Sequence, residues 1–129
     1  MINSGLFDSL NEFAIRAVEK SEDCDIQLGE ISLKLRSNLP RDLNQILFEG
    51  FFSAKNVTEW QLNIWCNTKE NQLSAIPGIS GFILDKQHLM FSVNEKYIAK
   101  DPSGNAIYVL DTRLKLGSIW ISSECKGNP

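Results

Sequence analysis

The chain has one histidine, three cysteines and no long apolar run. Cys24, Cys66 and Cys125 lie far apart without a CxxC pair, and only His88 is available to join them. A zinc site needs closely spaced ligands and a disulfide framework needs a matched set, so this spacing argues against both. A membrane-spanning helix takes about 18 or more apolar residues, and no stretch approaches that. Positive charge is not in excess: 13 Lys and Arg stand against 16 Asp and Glu, a net charge of −3. Nucleic acid and anionic membrane are therefore unexpected partners. Neither GxxxxGK[ST] nor GxGxxG occurs, so both phosphate cradles are missing. Met1-Ile2-Asn3-Ser4 lacks the charged-then-apolar layout of a secretory signal, and a cytoplasmic location is expected.

The 129 residues are most simply one domain, residues 1–129, with 122–129 as a flexible tail. A chain of this length buries roughly two-thirds of its unfolded surface, enough for a core without staples. Leu6, Phe7, Leu10, Phe13, Ala14, Ala17 and Val18 recur at three- and four-residue spacing, which predicts an amphipathic helix beginning near Ser4. Strict alternation follows. Ile26 and Leu28, then Ile31, Leu33 and Leu35, share one side, and Gly29-Glu30 turns the chain between them. Ser32, Lys34 and Arg36 take the other, water-facing side.

A second helix is predicted after Ser37 or Asn38, with Pro40 in its first turn and Leu43, Ile46, Leu47 and Phe51 as its stripe. Trp60, Leu62, Ile64 and Cys66 then form one face of a strand, with Gln61, Asn63 and Trp65 on the other. Residues 67–80 are polar and read as a loop. Beyond them come short apolar runs at Phe82-Ile83-Leu84, Leu89 to Val93, Tyr97-Ile98-Ala99, Ala106 to Leu110 and Ser118 to Ile121. Asn94-Glu95 and the Asp101-Pro102-Ser103-Gly104-Asn105 stretch separate them as turns, so these runs predict a β-meander. The expected class is α+β: a mostly antiparallel sheet, hairpin plus C-terminal meander, with two helices on one face.

Chemistry is sparse. His88 beside Asp85 is the one candidate general base, but an ordinary turn residue is the stronger reading. The oxygen-rich Asp101 turn lacks the spacing and closing glutamate of a calcium loop. No catalytic residue, cofactor or metal is expected. Trp65 stands on the more polar face of its strand, where a tryptophan either anchors a partner or sits beneath a covering helix or loop. Trp65, with the Ser32, Lys34 and Arg36 face, is the candidate partner-binding surface.

Three segments carry a family resemblance: Leu28-Gly29-Glu30-Ile31-Ser32-Leu33-Lys34-Leu35-Arg36-Ser37-Asn38, Glu59-Trp60-Gln61-Leu62-Asn63-Ile64, and the turn from Ala99 through Asp101-Pro102 to Tyr108. Their order resembles the N-terminal region of the HPr-kinase-related bacterial serine kinases, a small α+β domain that precedes an ATP-binding kinase domain. The resemblance implies a recognition, docking or oligomerisation role, with the kinase domain, another protein or a second copy as partner. It carries over no catalytic residue, because the phosphate cradle, catalytic acid and metal ligands have no counterpart here. The alternative from charge alone is a small acidic binding protein, of the inhibitor or immunity type, steered to a basic partner.

Overall fold

The computed structural model describes residues 4–28, 30–39 and 59–122. Helix α1, Ser4–Val18, forms where the apolar spacing places it. Leu6, Phe7, Leu10, Ala14 and Val18 are buried along one stripe, and Asp8, Glu12 and Arg16 lie outside it. The helix packs across strands in the middle of a seven-stranded sheet.

Strand β1, Asp23–Leu28, and β2, Ile31–Ser37, make the expected hairpin, with Ile26 opposite Leu33 and Cys24 opposite Leu35. The acidic residues Asp23 and Asp25 belong to β1 itself. Strand β3 is Trp60–Trp65. The second helix predicted over residues 43–51 lies outside the described residues. After a 3-10 turn at Leu73–Ala75 comes helix α2, Ile79–Leu84, and then β4, Met90–Val93, β5, Lys96–Lys100, β6, Ala106–Asp111, and β7, Leu116–Ile121.

The strand order is β1-β2-β3-β7-β6-β5-β4. Four pairs are antiparallel, but β3 runs parallel to both neighbours, β2 and β7. The sheet is thus mixed, mostly antiparallel, and the α+β class holds. Two local expectations change. Phe82-Ile83-Leu84 belongs to α2 and is not the first strand of the meander. The polar stretch at 67–80 is also not a free loop, since Leu73, Ile76 and Ile79 are buried in the core with α1.

Register aligns side chains in rows. One crosses the whole sheet on the α1 side, from Asp23 through Arg36, Asn63, Ser118, Val109 and Ile98 to Phe91. The row is charged at the β1 edge, polar in the centre and apolar at the far end. α1 covers the centre, where Ser118 Oγ donates 2.5 Å to Asn11 Oδ1. Ile98, Ile107, Val109, Trp65 and Trp120 complete the core beneath both helices. On the opposite face, Ile26, Leu33, Leu35, Leu39, Ile64 and Cys66 form a second core.

Left-handed backbone closes two of the turns in the β4–β6 region. Asn94 and Glu95, at φ 51° and 64°, close β4 onto β5 as a two-residue turn of the mirror-image type. At the Asp101 turn, Gly104 has φ 81° and its N–H donates to the Asp101 carbonyl.

Candidate functional site

Of the residues expected to meet a partner, Ser32, Lys34 and Arg36 do line up on one face of β2. Their polar groups, however, are engaged within the hairpin. Arg36 pairs with Asp23 through Nε and, at 3.4 Å, through Nη2. Lys34 Nζ lies 3.6 Å from the same carboxylate, and Ser32 Oγ donates to Gln27 Oε1 at 2.7 Å. The Arg36 hydrogen bond holds the Asp23 carboxyl below its ordinary pKa, with help from the Lys34 charge. These groups are about one-third exposed, so the pairing mainly orders the face.

Trp65 is elsewhere. It is 0% exposed and packs against Phe13 of α1, with ring centroids 6.5 Å apart. Of the two placements open to it, the structure shows the covered one, so Trp65 is core and offers no surface to a partner. The polar face of β3 becomes buried because α1 lies on it.

Asn38, at the end of the Arg-Ser-Asn step, grips the end of β3. Its Oδ1 accepts from the Cys66 N–H at 2.9 Å and its Nδ2 donates to the Cys66 carbonyl at 3.1 Å. Cys24 is a free thiol.

His88 and Asp85 are adjacent, with Nδ1 to Oδ2 at 3.0 Å. Asp85 Oδ1 also accepts the backbone N–H groups of Gln87 and His88, and the Gln87 bond is the main cause of its lowered pKa. The His88 ring rests near Phe91, 5.3 Å between centroids. Among the described residues, neither side chain hydrogen-bonds a serine or cysteine, and no group of three His, Cys, Asp or Glu is placed to hold a metal ion. No described helix is long and apolar enough to cross a membrane.

The surface that stands out was not singled out from the sequence. On the sheet face away from α1, β4, β5 and β6 present Met90, Tyr97, Tyr108 and Leu110, which are 65%, 40%, 45% and 37% exposed. Cross-strand pairing makes them contiguous: Met90 stands opposite Ala99, Ala99 opposite Tyr108, and Tyr97 opposite Leu110. Gly117 opens a shallow depression of about 310 Å³ in this face, between Leu62 and Leu110, whose methyls would lie 3.4 and 3.5 Å from a Cβ there. A signal did exist. Tyr97 and Tyr108 have the opposite parity to Ile98 and Val109, so one set had to face away from the core.

In comparisons with known proteins, the chain matches no family model, no curated protein and no solved structure.

Proposed function

We propose that the protein acts by binding, as a non-catalytic recognition domain that docks a protein partner on the β4–β6 outer face. One observation carries this reading: Met90, Tyr97, Tyr108 and Leu110 form a contiguous exposed apolar and aromatic surface on rigid strands. Isolated exposed apolar residues are ordinary, but contiguous ones rich in tyrosine and methionine are characteristic of interfaces. The resemblance to the N-terminal region of HPr-kinase-related proteins points to a docking role within a larger protein. The acidic composition instead suits a free-standing binder of a basic protein.

A photo-crosslinking amino acid at position 97 or 108, expressed in the native cells, tests the docking face. A discrete adduct from these positions, absent with the crosslinker at exposed Glu70, is the expected result. Equal labelling from Glu70, or no adduct, would sink the proposal. An adduct of twice the chain mass would identify a second copy as the partner.

We place the protein in the cytoplasm on sequence grounds. Cell fractionation tests the placement.

A further inference from the structure

A second surface lies on the α1 side of the sheet, apart from the proposed docking face. Between α1 and the β6–β7 turn runs an open groove of about 660 Å³, walled by Ile15 on the helix and Leu114 on the turn. Both are large apolar residues left exposed, at 43% and 68%. Asn11 and Asp111 line the same groove, yet each is at least nine-tenths buried, at 5% and 3% exposure.

Their bonding is incomplete. Asp111 Oδ1 accepts the N–H groups of Arg113 and Leu114, at 3.1 and 3.2 Å, but Oδ2 has no hydrogen-bond partner among the described residues. Asn11 Oδ1 accepts from Ser118, and its Nδ2 has none. A carboxylate oxygen left open on the wall of a groove can accept a charge-assisted hydrogen bond from a cation.

The charges around it point the same way. Lys96, the cross-strand neighbour of Asp111, has its Nζ 2.7 Å from Asp8, and Arg113 Nε lies 3.3 Å from Glu95. Both lining cations are therefore engaged with other carboxylates, and among the described residues Glu12 and Asp111 are left without an ion-pair partner.

We infer that the groove holds a lysine or arginine side chain presented by a protein partner. Its aliphatic stem lies between Ile15 and Leu114, and its charged head reaches Asp111 Oδ2 and Glu12. The inference rests on the binding reading above but uses different residues.

The test is an amide NMR titration of the full ¹⁵N-labelled chain with three capped tripeptides, glycine-lysine-glycine, glycine-arginine-glycine and glycine-norleucine-glycine. Binding of one side chain is expected on the order of millimolar, since a single anchor contributes little surplus over the cost of association. The two cationic peptides are expected to shift the amides of residues 11–15 and 111–116, with the norleucine peptide inert. Asp111→Asn preserves the Oδ1 acceptor of the turn and should weaken binding about tenfold, and the exposed Glu12→Gln about twofold. Equal shifts with norleucine, unchanged binding in both variants, or shifts centred on Tyr97 and Tyr108 would overturn the inference. Tighter binding of n-butylammonium than of either peptide would also overturn it, in favour of a free amine. None of these failures touches the crosslinking test at positions 97 and 108.

Discussion

Trp120 donates its indole N–H to Asn67 Oδ1 at 3.0 Å, and the same oxygen accepts the Leu73 backbone N–H at 2.9 Å. One side chain thus ties β7 to the 3-10 turn that fills the core beside α1. Asn67→Ala leaves both donors without this acceptor and should cost about 2–3 kcal/mol. Asn67→Asp keeps an acceptor and should lose less. Urea denaturation of the two variants checks the order, and equal losses would mean that the hydrogen bonds contribute little.

Trp65→Ala empties the space beneath Phe13. Truncating a fully buried tryptophan is expected to cost about 3–5 kcal/mol. A midpoint within experimental error of the parent chain would contradict the core placement and return Trp65 to the list of partner anchors.

Lys115 sits in the turn before β7 at φ 52°, a conformation that side chains with a Cβ adopt at a cost. Its carbonyl accepts the Gln61 N–H, a bond that substitution keeps. Lys115→Gly should therefore stabilise the protein by about 0.5–1 kcal/mol, and Lys115→Val should destabilise it. Thermal melts of the pair read out the sign.

Asp23 supplies a pH signature. Its folded pKa is lowered, so the stabilisation it gives is complete above its unfolded value and is lost as pH falls through the folded one. The stability difference between the parent chain and Asp23→Asn should be level at neutral pH and shrink below about pH 4. A difference that grows on acidification would show that Arg36 does not hold the carboxylate.

Sequence periodicity disclosed α1, the hairpin and four strands of the meander because each is a local pattern of burial. It did not disclose α2, since three apolar residues such as Phe82-Ile83-Leu84 fit a strand as well as a helical turn. Nor did it place Trp65: alternation separates the two faces of β3, but which face receives a helix is settled by α1, far away in the chain. The groove had no local signature for the same reason, as its walls come from α1 and the β6–β7 turn. The tyrosine face was within reach from parity alone. The hairpin candidates were found correctly as one face, but their mutual pairing depends on register with Asp23.

The parallel pairing of β3 on both sides has a kinetic consequence. The β1–β2 hairpin and the β4–β5–β6–β7 meander each close through neighbours in sequence, so each can assemble on its own contacts. β3 finds none of its partners nearby: Gln61 must meet Lys34 on one side and Leu116 on the other. The loop-closure cost of the sheet therefore concentrates on one six-residue strand. Substitutions that weaken β3 pairing would leave two half-sheets with exposed, complementary edges, open to completion by β3 of another molecule.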